Sequence, residues 1–552
     1  VAGNTVLGET ALDASVTGAN NTAIGKNALT TNTSGAENVA VGVSGLAANT
    51  TGGDNVSIGV EALTTNTTGS DNVAVGKAAL KLSTTASNNT AVGNAALAAN
   101  TTGAENTSLG STSLDANTTG SFNTGLGTGA LGANTTASFN TAVGRSALLL
   151  NTTGQQNVGV GSNSLDENTT GSSNVGVGYQ ALHSNTTASN NTALGFESLA
   201  SNTTGILQTA VGSNALAANT TSERNTAVGA DALKVNTTGS SNTALGQGAL
   251  AANTTAGANT ACGRDSLVVN TTGDNNTAIG AFSLDSNTTG SRNTAIGSQS
   301  LASNTTAHQN VAMGYQTLDA NTTGTNNTAN GTSSLGGNTT GSLNTAVGSG
   351  SLQLNTTGDN NVAVGTNALQ SNTTANDNCA VGTGALVGNT TGATNTAVGT
   401  SALQNTTTGS RCTALGDNSG VRNTTGGNNT YLGGIAGFST GQTGSNNTYI
   451  GYNSQGTTDS TSNEIILGDA NISIIRCNQT SLTGLSDRRD KTEIVDIPAG
   501  LNFINTLRPV KFKWQTREGT SYDGKVRAGF IAQDLQEAQI GNEYLNLVYD
   551  EA

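Results

Sequence analysis

A chain of 552 residues ordinarily divides into several globular domains, but 3% aromatic and 10% charged residues, with 74 Gly against 2 Pro, exclude cores of normal thickness. The formal net charge of -14 is spread without a basic patch, which speaks against nucleic-acid binding. No run approaches the length of an apolar membrane span and no signal-peptide pattern opens at Val1, so membrane insertion is not expected.

Periodicity supplies what composition lacks. Asn4, Asn21, Asn38, Asn55, Asn72, Asn89 and Asn106 recur at a fixed interval of 17, which runs on to position 412 in about 25 copies of N-T-A-V-G-x-x-A-L-x-x-N-T-T-G-x-x. A short period without insertions is the signature of a solenoid, each repeat one coil stacked on the last. The chain opens in mid-repeat, so an attachment region ahead of Val1 is expected.

In the copy from Asn21 to Glu37, Thr22–Ile24 is predicted to be a short strand ended by Gly25. Position four is aliphatic in Val41, Ile58, Val75 and Val92, with Cys262, Met313 and Asn330 as exceptions. Position nine is Leu from Leu12 to Leu403. The expectation is a narrow interior built from positions four and nine with small Ala between, each Leu about 4.8 Å from the next. The same logic makes Cys262 a small buried thiol; Cys262, Cys379, Cys412 and Cys477 show no paired spacing.

The N-T-T-G segments, as at Asn66–Gly69, combine turn-forming Asn with Gly, and stacked Asn are expected to form amide ladders. They also match the N-glycosylation acceptor pattern, but an Asn that recurs at the coil period serves the fold. The variable positions carry Phe122, Phe139, Tyr179, Phe196, Phe282 and Tyr315, expected on solvent-facing turns, where a glycan-binding ridge competes with an unremarkable scatter. Twenty-five coils make a rod of roughly 120 Å.

Over residues 1–428 the pattern N-T-A-V-G-x-x-A-L resembles the heads of trimeric autotransporter adhesins and the repeat shafts of phage tail fibres. The resemblance implies a parallel β-roll, left-handed in the adhesins, with three chains around a common axis.

After Leu415 the register loosens. Asn429–Gly433, Asn447–Gly451 and Asn463–Gly468 are degenerate copies, and residues 429–485 read as a capping and connector region. Tyr replaces Ala in two of these copies, which suggests widening or capping, and Asn471–Cys477 alternates like a strand leaving the solenoid.

From Ser486 the composition changes: Pro498, Pro509 and Trp514 all lie beyond it. Leu501, Phe503, Ile504 and Leu507 predict a short helix, Val510, Phe512 and Trp514 a strand, Ala528–Ile531 another apolar run, and Gln533–Ala538 a helix. Residues 486–552 are read as a separate small α+β domain. Leu485–Lys491, Leu507–Phe512 (L-R-P-V-K-F) and Gly529–Asp534 (G-F-I-A-Q-D) resemble, in order, three motifs of the endosialidase-type intramolecular chaperone.

That resemblance implies a domain that assists trimerisation and then cuts itself off between Ser486 and Asp487, with Ser486 as nucleophile and Lys491 as its base, supported by Arg489 and Gln533. The chemistry is coherent, because serine needs a neighbouring base and lysine serves only when its pKa is depressed. Arg488 and Arg489 favour that depression, and Asp487 and Asp490 oppose it. Without the downstream motifs, S-D-R-R-D-K reads as a solvated charged turn. The family continues into long C-terminal helices, whereas this chain stops at Ala552 without heptads, so the domain is expected to be truncated, with an abbreviated domain as the alternative; truncation would impair trimer-dependent cleavage.

The reading is an all-β parallel solenoid of about 25 coils, homotrimeric, followed by a small chaperone domain. Its function is that of a structural, host-adhesive phage tail fibre located in the virion. Its partners are itself, a host surface receptor such as a glycan, and tail or baseplate proteins. A bacterial trimeric adhesin on the cell surface is the alternative. A spike-type glycan depolymerase ranks lower, because the repeats hold only His183 and His308 and no evident acid pair. The repeat region is not expected to be an enzyme; the C-terminal domain is at most a single-turnover self-cleaving peptidase. No cofactor and no metal are expected.

Overall fold

Each coil contributes one strand of three residues, set between a turn-forming Asn and a Gly. In the computed structural model, strands β1 (Thr5–Leu7) to β28 (Ile465–Leu467) stack into one 28-stranded sheet. The structure describes residues 2–438, 441–476, 500–515, 522–538 and 540. Pairing is parallel and residue-for-residue, as in Thr209↔Thr226, Ala210↔Ala227 and Val211↔Val228. The three loosened copies are full members of the stack, so the solenoid runs past the coils counted from the repeat. The single slip comes where Asn447 N bonds Asn429 Oδ1 across 18 residues.

The interior differs from the expectation at one position. Strand side chains alternate, and it is the middle residue that points in: Ala23, Ala40, Ala74 and Ala91 are fully buried. Position four therefore faces outward, with Ile58 at 41% and Leu109 at 50% exposure. Cys262 shares that outward position and is half-buried rather than a core thiol. The core consists of small residues at positions three and eight and Leu at nine.

Leu at position nine carries a second constraint. From Leu12 to Leu403 its φ lies between 46° and 55°, in the left-handed region. That conformation costs about 1–2 kcal/mol for an L residue, while full burial of a Leu side chain contributes about 1.5–3 kcal/mol, so burial wins narrowly. β-branched side chains are far less tolerant of positive φ, which accounts for Val and Ile being frequent at position four and absent from nine.

Two Asn rows close each coil. Asn49 Nδ2 donates to Asn32 Oδ1 at 2.8 Å and to Gly52 O at 2.9 Å, while Asn38 Nδ2 donates to Asn21 Oδ1 at 3.1 Å and to the same Gly52 O at 2.9 Å. All four Asn are fully buried. The Asn of the acceptor pattern is thus a structural ladder, its amide nitrogens spent on neighbours.

Near the C-terminal end of the stack the core is exchanged rather than merely widened. Position nine becomes Gly420 and Gly437 while position three becomes Tyr431 and Tyr449, both 1% exposed. A Cβ on Gly437 would stand 2.4 Å from the Tyr431 ring, so the ring occupies the volume that Leu fills elsewhere. The two rings stack with centroids 5.4 Å apart. Tyr431 Oη donates within reach of Gln442 Oε1 at 3.1 Å.

Burial raises the Tyr431 phenol and pushes that of Tyr449 up to about 12, with the Glu464 carboxylate adding to the latter. A raised folded-state pKa means the contribution is intact below pH ~10, where unfolded tyrosine begins to ionise, and is lost as pH rises through the folded value. The last coils should therefore lose stability between about pH 10 and 12. Melting followed by circular dichroism, with tyrosinate absorbance alongside, should show this, and Tyr449→Phe should flatten the alkaline limb; an unchanged limb would refute it.

The predicted strand at Asn471–Cys477 is not formed: Asn471–Arg476 hold no ladder, and Cys477 lies outside the described residues. Among the described residues no further coil follows β28 to offer a partner strand, and Ile472, Ile474 and Ile475 are all exposed, so alternation alone does not make a strand.

Candidate functional site

Ser486, Asp487, Arg488, Arg489, Asp490 and Lys491 lie outside the described residues. Of the elements that follow them, α1 (Leu501–Ile504), β29 (Val510–Gln515) and α2 (Ala532–Ala538) fall where the sequence predicts, whereas β30 (Tyr522–Gly529) lies mostly ahead of the apolar run expected at Ala528–Ile531. Pro509 favours an extended Arg508 ahead of it, so the chain enters β29 directly. β29 and β30 pair antiparallel, Val510 opposite Gly529 and Phe512 opposite Arg527. A Cβ on Gly529 would stand 3.2 Å from the Phe512 ring, so glycine there lets the ring lie against the neighbouring strand.

This hairpin brings the second and third motifs together. Arg508 Nη2 and Nε donate to Asp534 Oδ2 at 2.8 and 3.1 Å. Asp534 stands in the first turn of α2, where a negative charge suits the helix N-terminus. Gln533, the supporting residue named from sequence, is exposed on α2 beside it. Because Arg508 is largely solvated, the pair contributes under about 1 kcal/mol, and its effect is alignment. Neither Arg508 nor Asp534 was singled out by sequence; the available signal was opposite charge inside two already quoted motifs.

Among the described residues, α1 and α2 bury nothing. Leu501 at 74%, Ile504 at 57% and Phe530 at 48% exposure leave apolar surface without a core of its own.

Residues 486–544 match the family model described as chaperone of endosialidase. The match begins at Ser486 and takes in the hairpin, the Arg508–Asp534 pair and Gln533. The chain thus joins a β-solenoid to a region that matches the endosialidase chaperone, as the repeat and the three C-terminal motifs together implied. No curated protein and no solved structure matches it.

The solenoid offers two further clusters. His183 Nδ1 hydrogen-bonds Asp166 Oδ1, and its Nε2 lies 3.9 Å from Glu167 Oε1. Burial raises the Asp166 carboxyl and the His183 hydrogen bond opposes it. His183 and Asp166 occupy the same repeat position on adjacent coils, so stacking alone accounts for the contact. The surface aromatics lie as predicted on exposed turns, and two pairs stack along the stack axis: Phe122–Phe139 with centroids at 5.0 Å and Tyr179–Phe196 at 5.5 Å. Phe282 is half-buried instead, under the Arg264 guanidinium at 4.5 Å. Among the described residues no helix is long and apolar enough to cross a membrane.

Proposed function

We propose that this chain is the shaft and chaperone segment of a trimeric phage tail fibre or spike that attaches the virion to its host. The observation that carries the reading is the chaperone match at residues 486–544, C-terminal in the chain to a long solenoid. A solenoid of similar coils sets distance and presents side chains on turns; the chaperone region accounts for how such thin-cored chains are brought together. Exposed apolar residues on α1 (Leu501 and Ile504) and just ahead of α2 (Phe530 and Ile531) support a domain completed by other copies. The stacked pairs Phe122–Phe139 and Tyr179–Phe196 are the receptor-facing candidates, because aromatic faces suit sugar rings.

In this reading Lys491 takes the Ser486 hydroxyl proton as Ser486 Oγ attacks the carbonyl that joins it to Asp487; the C–N bond then breaks, Lys491 returns the proton to the freed Asp487 amine, and water opens the strained ester left on Ser486, so that the chaperone leaves once the fibre has formed. Two measurements test it. Mass photometry should return a trimer, and a stable monomer would refute the assembly. On expression from its own gene, intact mass should give a product ending at Ser486, and Ser486→Ala or Lys491→Ala should each leave it uncut; undiminished cutting in either variant sinks the dyad.

A further inference from the structure

We propose that the outward face of the long sheet is where copies of this chain pack against one another, parallel and in register, with Asn330 as a polar layer at the contact. The proposal rests on the trimeric reading above and assigns the surface that holds the trimer together.

Positions two and four of every coil point outward from the sheet. Position four is Val, Ile or Leu in every strand except those bearing Cys262, Met313 and Asn330. Position two is Thr or Val apart from Cys379 and Ile465, and neither position carries a charged residue anywhere in the 28-stranded sheet. Yet this row is solvated in the single chain: Leu194 is 47% and Leu415 49% exposed. Charged residues are present in the solenoid but keep to the turns, as with the Lys26–Glu9 and Lys81–Glu61 pairs.

Scattered exposed aliphatics need no explanation, but a continuous uncharged row does. At about 4.8 Å per strand it runs roughly 130 Å, and a width of about 10 Å gives on the order of 1,300 Å² per copy. A stable interface needs about 800 Å² per partner.

The occupant follows from the period. A partner must present apolar rungs at the strand spacing over the same length, without charge, and a second copy of this sheet does so. Parallel, in-register packing sets each rung against its own counterpart. It also gathers the Asn330 side chains into one layer, where each amide donates to and accepts from its counterparts. A shift by one coil would set Asn330 against Met313 or Val347, leaving its amide without partners. A lone polar residue in an apolar seam fixing register has a precedent in coiled coils.

The test is cysteine crosslinking of the full chain in its native assembly with a short bismaleimide, read by denaturing gel and by mapping the linked peptides. Cys262 should link to Cys262 of another copy, and Cys262→Ser should abolish that product. Val143→Cys should link 143 to 143 in the same assembly, a result antiparallel packing cannot give together with the first. Leu150→Cys, exposed but outside the sheet face, should stay unlinked.

A trimer lacking both self-links overturns this interface while leaving the trimeric reading intact; a monomer overturns both. Links between 143 and 262 would overturn the register. Asn330→Asp gives an independent readout. On a solvated face it is silent, whereas in the proposed layer it gathers like charges, so the assembly should dissociate at least tenfold more readily at pH 7 than at pH 4. A pH-independent assembly would overturn the role given to Asn330.

Discussion

Gly212→Ala is expected to break the solenoid at one interface, destabilising it by at least about 3 kcal/mol. Gly212 sits at position five with φ of 132°, a conformation that is almost exclusive to glycine. A Cβ there would lie 2.6 Å from the Gly229 carbonyl carbon and oxygen on the next coil. Neither contact can relax by rotating a side chain, because both partners are backbone. The same geometry recurs at Gly195 and Gly229, so position five is where successive coils approach too closely for any side chain. In a stacked repeat, stability is a sum of coil and neighbour terms, and the damage should therefore be local. Thermal or urea unfolding should split into two transitions, with protease nicking concentrated near the altered coil. Gly45→Ala is the control. Its position is Ala in many coils, it carries no positive φ, and the nearest atom to an added Cβ is the Ser57 hydroxyl at 3.2 Å, so stability should change by less than about 1 kcal/mol. Equal effects from the two substitutions would refute the account.

Much of this architecture was legible because the period fixes everything that repeats. Strand position, turn position, the Asn ladders and the Leu row all follow from residues that return at the same interval. What the sequence misassigned was direction. Val and Ile at position four look like core because they are apolar, while the buried residue between the outward pair is only Ala. In an ordinary core a larger side chain occupies the inward position. Here the coil is so narrow that the middle of the strand admits only a methyl, unless position nine surrenders its Leu, as it does at Gly420 and Gly437 for Tyr431. Size, not hydrophobicity, decides which face is inside. In the C-terminal region α1, β29 and α2 were readable from apolar spacing and alternation, whereas β30 was not, because the apolar run at Ala528–Ile531 overlaps only its last two residues. The Arg508–Asp534 contact was not, because a pairing between motifs far apart in the chain leaves no local pattern.

The Asn ladder gives the second large effect, and a pH dependence opposite to ordinary acid unfolding. Fully buried Asn168 donates through Nδ2 to Asn151 Oδ1 at 2.8 Å and to Gly171 O at 3.0 Å, while its own Oδ1 accepts from Asn185 Nδ2 at 2.8 Å. Asn168→Asp keeps the shape but replaces the donor with an anionic oxygen facing two acceptors. An uncompensated buried charge costs about 3–5 kcal/mol, so the variant should be severely destabilised near neutral pH. Burial and the facing oxygens must raise the carboxyl above its unfolded value of about 3.9. A raised folded-state pKa gives a contribution that is present at low pH and lost as pH rises through it. The deficit against the unaltered chain should therefore shrink on acidification, when the protonated acid regains one donor. Asn168→Ala removes the donor without adding charge, and its deficit should stay level with pH. Melting temperatures of the three proteins from pH 3 to 8 decide the matter. If the Asp deficit is flat or widens towards acid, the ladder is not an obligatory donor chain, and the return of Asn at this position, broken before Asn423 only at Ser15, Ser83 and Thr406, needs another cause.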